Sequence, residues 1–192
     1  MKAKDVLELF GKDEIAEKAL NLLLRYSEQG FIPADELKDF DLVLLLEGKR
    51  LALPIEADKM SLSWNMRHVQ LQRKMEIPYI IRLFFKKLKS GEADVFQAIE
   101  EYFEKIGEDN PKVFVEIFLK IYNERDGFLV SGDSILKICR KYGKDGGVVI
   151  AEMKGAGIIS PYIGCGKIGR TKSMYEINKF LLEALAAKIS QP

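Results

Sequence analysis

The chain has 192 residues, 47% hydrophobic and 31% charged, with a net charge of +1, which is ordinary for a soluble globular protein with room for one large domain or two small ones. Its longest apolar run, residues 42–46, is far short of the about 20 residues that cross a bilayer, and no basic, apolar, small-residue leader opens the chain, so neither a membrane partner nor secretion is expected. Two well-separated cysteines, Cys139 and Cys165, offer neither a disulfide framework nor a zinc set, and a cytoplasmic location is expected.

Residues 4–10 suit a short helix. Residues 13–29 place Ile15, Ala19, Leu22, Leu23 and Tyr26 at helical spacing, and Gly30 ends them. A short helix is expected around 34–40. Residues 42–53, broken by Gly48-Lys49-Arg50, read either as a helix running into a strand or as a hairpin. Residues 60–75 fit a strand at Leu62, Trp64 and Met66, but Leu62, Met66, Val69 and Arg73 fit a helix slightly better. After Pro78 a helix spans 79–88, and 92–106 form an amphipathic helix with Val95, Phe96, Ile99, Phe103 and Ile106 on one face and Glu100, Glu101 and Glu104 on the other.

Asn110-Pro111 carries the signature of a helix start, with Asn as cap and Pro at the first position. Val113, Phe114, Ile117, Phe118, Ile121 and Tyr122 then form an apolar stripe up to Gly127. Residues 128–130 read as a short strand. Ser131 or Asp133 caps a helix that turns Ile135, Leu136, Ile138, Cys139 and Tyr142 inward. A second helix spans 146–154 and ends at Gly155 or Gly157. A strand over 158–163, a loop over 164–172 and a returning strand at Met174, Tyr175 and Ile177 follow, and Asn178 caps a last helix, Lys179–Ile189.

Ile150, Met153, Gly157, Ile158 and Ile159 reproduce a known spacing: an apolar residue, another three on, a glycine four further, then two apolar residues. With the order helix, strand, helix, turn, helix, hairpin, helix, and a Gly-, Lys- and Arg-rich hairpin tip before Tyr175-Glu176-Ile177-Asn178, residues 110–178 resemble the winged helix-turn-helix superfamily. The position four before Ile150, usually a small aliphatic there, is Gly146. The N-terminal stretch 22–32, ending in Gly30-Phe31-Ile32, echoes 119–129, ending in Gly127-Phe128-Leu129. It reads either as a degenerate second winged helix with residues 47–53 as a minimal hairpin, or as a chance likeness. The expected organisation is mainly α with a small β-hairpin (an α+β fold). It divides into an N-terminal helical or degenerate winged-helix domain at 1–58, a helical connector at 59–108, and a winged-helix domain with a C-terminal helix at 109–192.

The resemblance implies a DNA-binding or transcription-related protein that contacts mainly phosphates. Residues 128–192 hold ten Lys/Arg and five Asp/Glu, an excess of +5, against −4 for the rest, which suits a polyanion. Lys137, Arg140, Lys141 and Lys144 cluster on and after the first motif helix, Lys154 lies on the second, and Lys167, Arg170 and Lys172 sit in the hairpin. These eight are the candidate contacts to double-stranded DNA. The expected outward positions of the second helix, Asp145, Gly147, Val148, Ala151, Glu152 and Lys154, are poor in base-reading side chains, so an interaction module without nucleic-acid contact is the alternative. The apolar content of Lys179–Ile189 suits a homodimer contact.

Gly164-Cys165-Gly166-Lys167-Ile168-Gly169 matches a dinucleotide fingerprint literally, but a strand follows where a helix must open. Cys165, beside Lys167 and Arg170, is a candidate reactive thiol, whereas Cys139 falls on an inward helix face. His68 stands alone, with no metal or triad partners. No cofactor, metal site or enzymatic activity is expected. Abundant Lys and Glu with few Asn and Gln lean towards a thermophilic source.

Overall fold

The computed structural model describes residues 1–55, 63–67, 70–164 and 173–190. The fold is mainly α-helical with two small three-stranded antiparallel sheets. In chain order the first half runs α1 (Ala3–Phe10), α2 (Glu14–Tyr26), β1 (Phe31–Ile32), a 3-10 turn (Ala34–Glu36), α3 (Phe40–Gly48), β2 (Leu53–Pro54), β3 (Met75–Glu76) and α4 (Tyr79–Lys89). The second half runs α5 (Val95–Lys105), α6 (Lys112–Glu124), β4 (Leu129–Ser131), α7 (Gly132–Lys141), α8 (Gly146–Ala156), β5 (Ile159–Tyr162), β6 (Met174–Ile177) and α9 (Lys179–Ile189).

The two halves therefore repeat one order of elements, with the 3-10 turn standing where the second half has α7. The sheets repeat it too: β3 lies between β1 and β2, and β6 between β4 and β5. Phe31 pairs with Glu76, and Leu129 with Glu176. The returning strands are thus 100 residues apart in sequence, as are the helices α4 and α9 that follow them.

Short polar side chains start most of the helices by accepting free N–H groups of the first turn. Asp13 accepts from Ala16, Asp39 from Asp41 and Leu42, Asp94 from Phe96 and Gln97, Ser131 from Ser134, and Asn178 from Leu181. The helix after Asn110-Pro111 is an exception. It begins at Lys112, without a side-chain cap.

The structure corrects three other expectations. The first-half hairpin does not lie at 47–53, because Glu47 and Gly48 belong to α3; its strands are β2 and β3. A helix is expected around 34–40, but only a 3-10 turn forms there, and Asp39 restarts the chain as a helix at Phe40. No helix spans the described part of 60–75. Instead, Trp64–Met66 make a 3-10 turn and Met75 enters the sheet. The reason is long-range bonding to β5 and its end. The Trp64 N–H donates to Ser160 Oγ (3.1 Å), Ser63 Oγ to the Pro161 carbonyl (2.6 Å), and Asn65 Nδ2 to the Ile163 carbonyl (2.7 Å). The first takes a backbone donor that a local helix would employ, and the two side-chain bonds hold the segment against β5.

Most of the buried apolar residues form one continuous cluster from Val6 to Leu185. Phe84, Phe85 and Phe180 are fully buried, and Phe180 meets Phe10, Phe84 and Phe85 at ring-centroid distances of 6.0, 5.1 and 5.8 Å. The apolar face of α9, expected to need a second subunit, is covered at Phe180, Leu181, Ala184 and Leu185 by the chain itself. Burying one such phenylalanine contributes roughly 2–3 kcal/mol.

The halves also interlock at their strand-to-helix corners. Asn178 Nδ2 donates to the Arg50 carbonyl (3.0 Å) and the Gly157 carbonyl (3.2 Å), and Pro78 packs on Gly157. Arg50 and Gly157 occupy matching places just after α3 and α8, with φ of 59° and 78°. Arg50 is buried and donates through Nε and Nη2 to Glu176 (2.8 and 3.3 Å), itself fully buried. It also donates through Nη1 to the Glu47 carbonyl (3.0 Å). This bidentate ion pair ties the end of α3 to the central strand of the second sheet.

Candidate nucleic-acid interface

α7 and α8 cross closely enough that a Cβ at Gly146 would lie 2.6 Å from Leu136 Cδ2 and 3.0 Å from Leu136 Cα. A glycine is required there by close packing, which accounts for the missing aliphatic side chain. The turn between these helices holds Gly143 at φ +67°.

On α7, Lys137, Arg140 and Lys141 lie at i, i+3 and i+4 and are exposed, so they share one face. Lys154 is exposed on α8. Among the described residues none of these four has a carboxylate within ion-pair distance, whereas Lys49, Lys87, Lys105 and Lys188 are all paired. Lys144 departs from the expected cluster. Its Nζ lies 2.5 Å from Glu108 Oε2 and 4.8 Å from the Phe114 ring centre, so its charge is already engaged within the chain. Lys167, Arg170 and Lys172 lie outside the described residues, as do Cys165 and His68.

The outward face of α8 consists of Gly147, Val148, Ala151, Lys154 and Gly155. Glu152, expected to point outward, is half-buried. Its backbone carbonyl accepts the Tyr102 hydroxyl (3.0 Å), and its Oε2 is buried with no hydrogen-bond partner among the described residues. Burial raises this carboxyl above the usual glutamate range, Glu108 adds to the shift, and Lys144 opposes it. Asp145 caps α8 by accepting from Gly147 N (2.7 Å) and Val148 N (3.1 Å). Those two N–H groups are the donors that an incoming phosphate would use, so side chains rather than the helix end must supply any anion contact.

The equivalent helix of the first half, α3, has no cation on its exposed face. Phe40 is 53% exposed, Leu44 41%, and Asp41 lies between them. Sequence reading missed this surface because the helix start at Asp39 was hidden among neighbouring acids. Cys139 is buried as expected, and burial pushes its thiol pKa up. Among the described residues, no three His, Cys, Asp or Glu side chains gather where they could hold a metal ion, and no helix is long and apolar enough to cross a membrane.

No curated protein and no solved structure matches the chain. A protein-family model matches residues 4–188, a span that includes both structural repeats, and the chain belongs to the family that this model defines.

Proposed function

We propose that the chain is a tandem winged-helix protein whose second unit holds duplex DNA by its phosphate backbone, without reading base edges. The observation that carries this reading is the exposed face of α7, where Lys137, Arg140 and Lys141 stand unpaired among the described residues, joined by Lys154 on α8. In this reading α6, α7 and α8 form the three-helix core, β5 and β6 the wing, and β4 the strand that completes the sheet. The motif spacing Ile150, Met153, Gly157, Ile158 and Ile159 supports it, with Met153, Gly157, Ile158 and Ile159 buried and Gly157 in the left-handed conformation.

Backbone contact rather than base recognition follows from the face that α8 presents. Base edges in the major groove are read by Arg, Lys, Asn or Gln, and α8 offers Lys154 alone. Three or four lysine and arginine contacts to phosphate give affinity that weakens steeply with salt. Binding of a mixed-sequence duplex, measured with and without charge reversal at Lys137, Arg140 and Lys141, tests the reading.

A second reading is favoured by Phe40 and Leu44. Two large apolar side chains, both more than 40% exposed on one helix face, suit contact with another protein better than contact with an anion. Self-association that disappears in the Phe40→Ser, Leu44→Ser double variant, read by sedimentation, is its simplest test.

A further inference from the structure

A surface cleft of about 350 Å³ lies between the end of α2, the outer face of α4 and the end of α5. Ser27, Tyr79, Arg82, Lys86 and Lys105 line it, with Glu28 at its edge. Arg82 and Lys86 are its cations without a carboxylate partner among the described residues, Lys105 Nζ is already paired with Glu101 Oε1 (2.7 Å), and the Glu28 carboxylate is held 3.2 Å from Lys89 Nζ.

The cleft is built, not a chance dent among lysines. Arg82 Nε donates to the Ser27 carbonyl and Nη2 to the Glu28 carbonyl, each at 3.2 Å, so its guanidinium is fixed against the C-terminal end of α2. Gly30 makes this possible: a Cβ there would lie 2.9 Å from Arg82 Cζ, and its φ is +84°. The Arg82 guanidinium also sits 5.1 Å from the Tyr79 ring centre, and Lys105 Nζ 6.0 Å from it. Lys86 is exposed and has no carboxylate within ion-pair distance among the described residues. Ser27 is only 2% exposed, and its hydroxyl has no hydrogen-bond partner among the described residues. A buried hydroxyl left without a partner costs about 1–3 kcal/mol, so a site that retains one beside an immobilised arginine points to a missing acceptor.

The repeat supplies an internal control. With the returning strands 100 residues apart, Tyr79, Arg82 and Lys86 correspond to Lys179, Leu182 and Ala186 on α9. The same scaffold position thus folds without the basic set, and the cations on α4 are not a requirement of the architecture.

We infer that this cleft binds a small organic phosphate. Its phosphoryl group sits between Arg82 and Lys86, with Lys105 at the rim, and accepts a hydrogen bond from the Ser27 hydroxyl. A doubly charged, tetrahedral group with several lone pairs matches two unpaired cations and a hydroxyl donor better than a single carboxylate does. The volume is at the lower end of small-ligand sites and is concave, which excludes a nucleic-acid duplex. The site is independent of the α7 cations.

The test is calorimetric titration of the full chain with phenyl phosphate and with inorganic phosphate. Phenyl phosphate is expected to bind with Kd below about 1 mM, and Lys86→Glu to weaken it by about tenfold or more. Ser27→Ala should weaken it severalfold, while Lys38→Glu, a charge change on an exposed residue outside the cleft, leaves it unchanged. Lys86 is exposed, and a melting temperature equal to that of the parent verifies the fold of its variant. Absence of binding by either phosphate, or equal binding by Lys86→Glu, or equal losses in Lys86→Glu and Lys38→Glu, overturns the inference.

Discussion

Pro78 occupies the space that a side chain at Gly157 would need: a Cβ placed there would stand 2.5 Å from Pro78 Cβ. The corner of the first repeat thereby docks on the end of α8 in the second. Gly157→Ala forces a non-glycine residue into a left-handed backbone at φ +78° and displaces a ring that cannot rotate away. The expected loss is roughly 2–4 kcal/mol of folding stability, measured by urea denaturation. A loss under about 1 kcal/mol would mean that the two repeats can separate at this corner without cost.

The buried pair Arg50–Glu176 makes a sharper statement because the repeat contains its own reference. Glu76 holds the same sheet position as Glu176 but is exposed. Glu176→Gln removes one of the two carboxylates on the buried Arg50 guanidinium, Glu47 keeping the other, and is expected to cost about 1–3 kcal/mol. Glu76→Gln, in the matching position, should stay within about 0.5 kcal/mol of the parent. Equal effects of the two substitutions, compared in the same denaturation series, would remove the interlocking role given to Arg50.

Glu152 gives a dependence on pH. Burial raises its carboxyl pKa in the folded chain, so the folded state binds the proton more tightly than the unfolded state. Its contribution to stability is then most favourable below the unfolded glutamate value of about 4.3 and declines as pH rises through the raised folded value. Glu152→Gln is expected to raise the melting temperature at pH 7, and the gain should shrink towards zero below about pH 4. A gain of the same size at both pH values would show that charge is not its cause.

How much of this was legible in the sequence depended on the range of the interactions. The second repeat could be followed residue by residue because its signals are local: Ser131, Asn178 and Gly157 cap or end helices within a few positions of themselves. The first repeat resisted because its hairpin strands are two residues each and lie far apart in sequence, at Leu53–Pro54 and Met75–Glu76. Period-two alternation cannot be read from two residues. The turn at Trp64–Met66 is set by Ser160, Pro161 and Ile163, almost 100 residues away. The cations Lys137, Arg140 and Lys141 were visible as a cluster, but the engagement of Lys144 by Glu108, 36 residues away between α5 and α6, came only with the tertiary fold. The cleft residues Ser27, Tyr79, Arg82 and Lys105 come from three helices and form no motif.

The central claim, phosphate-backbone contact through α7, is tested most directly by the salt dependence of duplex DNA binding. Contacts from Lys137, Arg140, Lys141 and Lys154 predict a slope of log K against log salt of about −3 to −4 for the parent chain. Reversal of Lys137, Arg140 and Lys141 to glutamate should abolish the binding. No binding of the parent at about 50 mM salt, where such contacts are strongest, or undiminished binding by the triple variant, would contradict the account.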